Sequence, residues 1–232
     1  MSKIHAYKKD NNKMRLHSQT LERTCFLYIM LTAIIGCTPS AQNEKLPILG
    51  EKEIVNISKD GGSEKDTLYH HIPAFNYLDQ DSNWINNETL KDKVYLADFF
   101  FTRCPTICPT MAKHMLIVAD HFRDESRFVI LSHTIDPRHD TPTVLKEYAR
   151  KLGAPDIWRF VNGPKSEVYH IAGAAGYFSF AGENPAAPGG IDHSGVFTLV
   201  DGQGRIRGVY NGIALDSVKV AIDDIRRLLD NG

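Results

Sequence analysis

The sequence predicts an α/β domain built on a mixed central sheet. Residues 94–101 and 128–134 are apolar runs rich in β-branched and aromatic residues, typical of strands buried on both faces. A segment with apolar residues at helix spacing follows each run, as strand–helix units require. Turn residues at Asp201, Gly202 and Gly204 then predict an antiparallel hairpin. Alternating strands and helices that end in a hairpin and a helix indicate helices packed on a sheet.

The predicted elements can be placed along the chain in order. An extension at residues 46–90 holds a hairpin and a strand near 71–78. Further strands are predicted at 94–101, 128–134, 158–161, 195–200 and 206–210. Four helices are predicted: the first begins after residue 108, the second ends at residue 152, the third covers 166–175, and the fourth lies around 218–229. Thr141 or Asp140 is the predicted cap of the second helix. The spacing of Met111 and Met115 places both in the core.

Two cysteines lie where the first central strand gives way to a helix. Cys104 and Cys108 are each followed by proline, and Pro109 falls in the first helical turn, where a missing N–H costs no hydrogen bond. Thr106 is the predicted helix cap. The helix N-terminus favours a thiolate at Cys108, and Arg103 adds a nearby cation. The turn is therefore predicted to carry reactive or metal-binding sulfurs.

The spacing of the cysteines leaves two kinds of chemistry open. Three residues separate them, so the pair can close as a disulfide or turn both sulfurs toward one soft ion. Thiolate pairs select Cu(I), zinc or iron–sulfur clusters. A purely structural disulfide is a weak alternative, because so small a loop constrains little of the unfolded chain. In an oxidising compartment the pair is expected to be a disulfide, a metal site, or each in turn.

The N-terminal segment is predicted to direct export. Basic residues precede an apolar stretch at residues 25–35, shorter than the roughly 20 residues of a membrane span. Gly36 and Cys37 end this stretch in a pattern that resembles a bacterial lipobox. We expect a signal peptide at 1–36, a lipidated Cys37 that opens a tether at 37–45, and a folded domain at 46–232. A plain secretory signal or an uncleaved anchor is the alternative, and Met14 is a second candidate start.

The charge of the chain argues against one class of partner. The formal net charge is −1 and the sequence pI is about 6.8. A nucleic-acid-binding domain is typically strongly basic, with its lysines and arginines gathered on one surface. Nucleic acid is therefore not an expected partner.

Several histidines of the sequence are candidate metal ligands. His193 ends the Gly-, Pro- and Ala-rich segment 181–191, which predicts a mobile loop able to swing a ligand onto an ion. His133 is expected to pack within its strand. His70 and His71 are adjacent on a strand and point to opposite faces, so both are predicted to be surface residues. His114 is expected to face solvent.

Two carboxylates are candidate supporting groups for a metal site. Asp136 follows the second central strand, at the sheet edge that carries the cysteine turn, where it serves either the metal site or the turn after Pro137. Asp192 directly precedes His193, and its carboxylate could orient the imidazole ring.

Three segments together resemble the SCO/SenC family of copper proteins that assist cytochrome c oxidase assembly. They read FFFTRCPTICP, IDPRHDTP and DHSGVFTLVD, and the resemblance extends from about Leu46 onward. It implies a thioredoxin-like, three-layer α/β fold with a central mixed sheet and an N-terminal extension. It also implies that Cys104, Cys108 and His193 bind copper, with Asp136 close to the site.

The predicted function is that of a membrane-anchored copper chaperone of the bacterial envelope, facing the periplasm. Its partner would be a cytochrome c oxidase subunit or another copper acceptor. Cys104, Cys108 and His193 would hold Cu(I), and a harder ligand such as Asp136 or water would help to hold Cu(II). The alternative is an enzyme, a thiol–disulfide reductase that keeps the cysteines of a partner's copper site reduced. A peroxide-reducing relative of the fold is a weaker third possibility.

Overall fold

The structure is a computed structural model that describes residues 45–59 and 62–231. All the described elements lie in one compact unit, Lys45–Gly232. The predicted signal peptide, Cys37 and nearly all of the tether lie outside the described residues. Their assignment therefore stays a prediction.

Eleven strands and four helices make up the described chain. The strands are β1 Lys52–Lys59, β2 Gly62–Tyr69, β3 Asn76–Asp79, β4 Trp84–Asn86, β5 Val94–Phe100, β6 Phe128–Thr134, β7 Trp158–Asn162, β8 Ala181–Glu183, β9 Ile191–His193, β10 Val196–Val200 and β11 Ile206–Asn211. The helices are α1 Cys108–His121, α2 Pro142–Leu152, α3 Lys165–Ala172 and α4 Leu215–Asn231. None of these helices is long and apolar enough to span a bilayer.

The main sheet is mixed, as predicted. Seven strands run in the order β11-β10-β5-β6-β7-β3-β4. The three strands β5, β6 and β7 are parallel, and the other pairings in this sheet are antiparallel. Two separate hairpins, β1–β2 and β8–β9, complete the strand pairings. This order places β5 and β6 in the interior of the sheet, where each of them has a strand on either side.

Burial of β5 on both faces gives the domain its three layers. Leu96 and Phe100 point into a core shared with helices α1, α2 and α4. Tyr95, Ala97 and Phe99 point into a second core shared with helix α3. Alternate residues of a strand face opposite sides of the sheet, so a continuous apolar run packs against both layers. The predicted core positions of Met111 and Met115 are confirmed, since both are buried in the first of these cores, with Leu96 and Phe100.

The predicted N-terminal extension is only partly separate from the sheet. Its hairpin is β1–β2, but the strand expected near residues 71–78 is β3, which pairs with both β4 and β7. Residues before β5 therefore complete one edge of the main sheet. Sequence periodicity identified a strand here, but no local pattern specifies which distant strand a segment joins.

Neither predicted helix cap forms the expected hydrogen bond. Helix α1 begins after Ile107, and the hydroxyl oxygen of Thr106 lies 3.6 Å from Cys104 Sγ instead. Pro109 does occupy the first turn, as predicted. Helix α2 begins after Thr141, whose side chain makes no capping bond. The remaining candidate cap, Asp140, has a different role.

Asp140 joins the end of β5 to the end of β6. Its carboxylate is fully buried and accepts hydrogen bonds from Thr102 N at 3.0 Å and Thr102 Oγ1 at 2.5 Å. A third bond comes from Thr134 Oγ1 at 2.6 Å. Thr102 is two residues before Cys104, so these bonds fix the start of the cysteine turn. A buried acceptor whose partners are all present holds its surroundings in one geometry.

We predict that Asp140→Asn destabilises the domain and loosens the cysteine turn. The amide has one acceptor oxygen where the carboxylate has two, so at least one of the three bonds is lost, at a cost of about 1–3 kcal/mol. Denaturant unfolding measures the loss of stability, and hydrogen exchange at the Thr102 amide reports the loosening. The exposed Asp156→Asn is the matched control. Unchanged exchange at Thr102 in Asp140→Asn would show that the carboxylate does not hold the turn.

His133 is a packed core histidine, as predicted. It is fully buried, stacks on Phe99 with ring centroids 5.1 Å apart, and contacts the rings of Phe75, Tyr77 and Tyr177. Among the described residues, neither ring nitrogen has a hydrogen-bond partner. Burial lowers the pKa of His133 from 6.5 to about 3. The aromatic cage therefore holds the imidazole neutral.

We predict that the His133 cage makes folding stability fall in mild acid. Below pH 6.5 the unfolded chain binds a proton at His133, while the folded chain does not until about pH 3. Stability is therefore full above pH 6.5 and declines below it by up to about 1.4 kcal/mol per pH unit. His133→Phe should remove this pH-dependent loss, so the free energy of unfolding of the variant relative to wild type should rise as the pH falls from 6.5 to 4.5.

The matched control for the cage is the exposed His139→Gln. Its stability should track that of wild type across the same pH range. Parallel pH profiles for wild type and His133→Phe would mean that His133 is not held neutral.

Candidate metal centre

Three side chains from different parts of the chain converge at the carboxyl end of β5. Cys104 lies in the turn after the strand, Cys108 is the first residue of α1, and His193 is the last residue of β9. Their two sulfurs and one ring nitrogen all lie within 4.8 Å of one another. Of the described histidines, cysteines and acidic residues, no other group of three or more is placed in this way.

The distances in this group suit a single small ion. Nε2 of His193 lies 3.3 Å from Cys108 Sγ and 3.8 Å from Cys104 Sγ. A trigonal ion with metal–sulfur bonds of about 2.3 Å and a metal–nitrogen bond of about 2.0 Å separates sulfur from nitrogen by about 3.7 Å. Two thiolates and an imidazole form a donor set that favours copper or zinc over hard cations such as magnesium.

A hairpin positions His193, in contrast to the mobile loop predicted for residues 181–191. Strand β9 pairs with β8, and Ala181 is opposite His193. The connecting loop packs on the cysteine turn at Gly189, which has φ of +87° and where a Cβ atom would lie 2.9 Å from the Phe101 ring. Only a glycine fits both this backbone conformation and this contact. His193 is therefore buried and held by a strand.

The carbonyl of Ser194 orients the His193 ring in place of Asp192. Nδ1 of His193 lies 3.2 Å from Ser194 O, which leaves Nε2 for the sulfurs. The ring also meets the edge of Phe101, with centroids 5.9 Å apart. Asp192 is exposed, because neighbouring strand residues point to opposite faces. It remains outside the group of three ligands.

Asp136 also lies outside this group. Its carboxylate accepts a hydrogen bond from Arg103 Nη2 at 2.7 Å, so each of these residues satisfies the other's charge. This pair ties the cysteine turn to the loop after β6. The cation predicted to act on the sulfurs therefore acts on a carboxylate.

The pKa values of the two thiols are shifted in opposite directions. A hydrogen bond from the Cys108 thiol lowers the pKa of Cys104 from 9.0 to about 3. Donation of that bond and burial raise the pKa of Cys108 above its usual value. Cys108 is only 3 % exposed, whereas Cys104 is partly exposed. These shifts run against the prediction that the helix N-terminus favours a thiolate at Cys108, because burial and the bond between the thiols favour the thiolate at Cys104.

Asp98 is a feature of the site that sequence reasoning missed. It is buried in β5, where burial raises its pKa from 3.8 to about 6. Its Oδ1 accepts a hydrogen bond from Ser132, whose oxygen accepts a bond from Trp158 Nε1 at 2.8 Å. The negative charge of Asp98 contributes to the raised pKa of Cys108. An acidic residue inside the otherwise apolar run of residues 94–101 was the available signal.

Two other histidines differ from their predicted surface positions. His70 is partly buried, with Nε2 2.9 Å from Gly176 O and its ring against Phe178. His114 is also partly buried, with Nδ1 2.8 Å from Gly212 O. His71 is exposed, as predicted. None of the three lies in the group of metal-ligand candidates.

Comparisons with known proteins agree with this geometry. The family model described as SCO1/SenC matches residues 63–230. The SCO1 protein homolog of Bacillus subtilis is 33% identical over 170 residues, covering 72% of this chain and 87% of that protein. A relative from Stutzerimonas stutzeri that is named for copper binding is 26% identical over 206 residues, covering 87% of this chain and 94% of that protein.

A solved structure gives the same answer for the fold. The structure of BsSco superposes on this chain with a TM-score of 0.62 at 30% identity. BsSco is a member of the Sco family of cytochrome c oxidase assembly proteins, and a disulfide switch was identified in it. The match covers 70% of this chain and 95% of that one. The thioredoxin-like α/β fold is therefore confirmed. With a family model that matches most of its length, the chain belongs to the SCO1/SenC family.

Proposed function

We propose that the chain is a copper chaperone that binds copper through Cys104, Cys108 and His193 and delivers it to cytochrome c oxidase during assembly. The observation that carries this proposal is the convergence of the three ligand atoms within 4.8 Å. Two similar proteins support it: a relative that is named for copper binding, and BsSco, which belongs to a family of cytochrome c oxidase assembly proteins. Two sulfur ligands suit Cu(I), and the imidazole extends the site toward Cu(II).

The proposed route of transfer is ligand exchange. Cys104 is the ligand that an acceptor can reach first, because Cys108 and His193 are buried. An incoming thiolate would displace Cys104 from copper, and the released sulfur would remain as the thiolate favoured by its low pKa. The buried ligands would hold the ion until further acceptor ligands replace them. No net oxidation or reduction accompanies this exchange.

A second function is favoured by the unequal thiols. A partly exposed thiolate at Cys104 beside a buried thiol at Cys108 is the arrangement of an attacking and a resolving cysteine. Cys104 would attack a partner disulfide, forming a mixed disulfide and releasing one partner thiolate. Cys108, after losing its proton, would then form the Cys104–Cys108 disulfide and release the reduced partner. This exchange does not need His193.

We also propose that the domain is held at the bacterial membrane, facing the periplasm, by lipid on Cys37. The lipobox-like sequence that ends the apolar stretch supports this proposal.

We predict that His193→Ala separates the chaperone from the reductase. The two thiolates should still bind Cu(I), but with affinity lower by at least about tenfold, roughly 1.4 kcal/mol. Affinity for Cu(II) should fall further, because Cu(II) favours imidazole over a purely sulfur site. Oxidase assembly should fail, while reactivity toward a model disulfide persists. Anaerobic copper titration, metal absorption spectra and oxidase activity in the same strain are the measurements.

Two controls make this test specific. The exposed His71→Ala should bind copper as wild type does. Wild type oxidised to the Cys104–Cys108 disulfide should lose tight binding, because both sulfur ligands are consumed. Wild-type copper affinity and oxidase activity in His193→Ala would contradict the chaperone and favour the reductase.

We predict that Cys37→Ala prevents lipid anchoring. The variant should accumulate as an unprocessed precursor or leave the membrane fraction after cleavage elsewhere. Mass spectrometry of the mature protein and cell fractionation are the measurements. A variant that is processed normally and retained at the membrane rules out a lipid on this residue.

A further inference from the structure

A large basic cavity lies at the end of the main sheet opposite the metal centre. Its volume is about 780 Å³, within the range typical of ligand sites. Val94, the first residue of β5, lines it, whereas Cys104 follows the other end of that strand. Seven strand residues span roughly 20 Å. The cavity and the metal centre are therefore separate sites at opposite ends of the domain.

The cavity wall carries an excess of positive charge. Six basic and two acidic side chains line it. One of the acids, Asp201, is shared by Arg205 at 2.8 Å and Arg207 at 2.9 Å. Among the described residues, Lys45 and Lys52 form no ion pair, and both are exposed. A concave basic surface with unpaired ammonium groups attracts anions.

The guanidinium of Arg127 is a further cation on this wall. It forms a two-point ion pair with Glu125, from Nε to Oε1 at 3.1 Å and from Nη2 to Oε2 at 3.0 Å, and its Nη1 donates to Leu229 O at 2.8 Å. The bond to Leu229 O holds the side chain beside the end of α4. Arg127 lines the cavity and Glu125 does not, so the guanidinium faces the cavity with its charge partly offset and two of its five N–H groups left for a ligand.

Apolar side chains form a further part of the lining. Leu46, Ile48, Val94 and Leu228 belong to it, together with the ring of Tyr69. A site that combines basic groups with apolar surface suits an amphiphile whose charged group is anionic. A free inorganic anion would leave the apolar part without a partner.

The position of the cavity on the chain identifies the occupant. Lys45, at its edge, is eight residues after Cys37. Eight residues extend over at most about 29 Å. On the proposed lipid anchoring, the cavity is therefore within this distance of the membrane surface. The anionic amphiphiles of that surface are phospholipids.

We propose that this cavity binds the phosphate headgroup of an anionic phospholipid. Lys45, Lys52 and Arg127 contact the phosphate, and the apolar residues pack against the glycerol and the first acyl carbons. Binding turns this end of the sheet toward the bilayer and the metal centre away from it. The inference rests on the proposed anchoring but does not involve copper.

The test uses residues 38–232, which contain both hydrophobic cores and every described strand and helix. Copper-free protein is mixed with vesicles of phosphatidylglycerol or of phosphatidylcholine, and binding is measured by flotation. The triple variant Lys45→Gln, Lys52→Gln, Arg127→Gln removes three cavity charges. The matched control Lys113→Gln, Arg138→Gln, Lys219→Gln removes three exposed charges that do not line the cavity.

Wild type and the matched control should bind phosphatidylglycerol vesicles and not phosphatidylcholine vesicles. One basic residue near an anionic surface strengthens binding roughly fivefold, so the cavity variant should lose on the order of a hundredfold. Binding of all three proteins should weaken as salt rises. Cu(I) binding of the cavity variant should match wild type, so failure of this proposal is distinguishable from failure of the chaperone function.

Short-chain phosphatidylglycerol and inorganic phosphate separate the two sources of a phosphate group. The lipid should raise the melting temperature of wild type and shift the methyl resonances of Leu46 and Leu228, with little effect from phosphate at the same concentration. Equal effects of the two ligands, without vesicle binding, would identify a free-anion site and overturn the proposal. Equal losses of vesicle binding in both triple variants would also overturn it, because they indicate adsorption by net charge alone.

Discussion

The burial of β5 on both faces is the constraint on which the rest of the structure depends. Val94–Phe100 is one of the strands that contribute to both hydrophobic cores, and its carboxyl end carries the turn with Cys104. Because the strand cannot shift without disturbing both layers, the turn begins at a fixed point. Asp140 secures that point through its bonds to Thr102. Packing and these hydrogen bonds therefore position the start of the cysteine turn, with no contribution from a bound ion.

Periodicity in the sequence was sufficient to predict the central strands and the helices, because burial on one or both faces leaves a local pattern. The cysteine turn was predictable for the same reason, since it lies between two such patterns. The three-layer arrangement was predicted from the family resemblance. His193 was predicted as the third ligand from the family resemblance and from its place at the end of the Gly-, Pro- and Ala-rich segment. The composition of residues 181–191 suggested irregular chain, but pairing of β8 with β9 outweighed it.

Predictions failed where partners are distant in sequence. Asp140 reaches back 38 residues to Thr102, and Arg103 reaches forward 33 residues to Asp136. Local rules assign these side chains to caps and turns or to the nearest sulfur, because they consider only sequence neighbours. The predicted ionisation of Cys104 and Cys108 differs from the structure for a related reason: burial and the bond between the thiols outweigh the effect of the helix N-terminus on their pKa values.

The packing of Gly189 against Phe101 has a consequence for molecular recognition. The β8–β9 hairpin and the cysteine turn together cover Cys108 and His193 and leave Cys104 as the partly exposed member of the group. Access to the three side chains is therefore one-sided: whatever touches the sulfur of Cys104 has the other two ligand atoms behind it, out of direct reach.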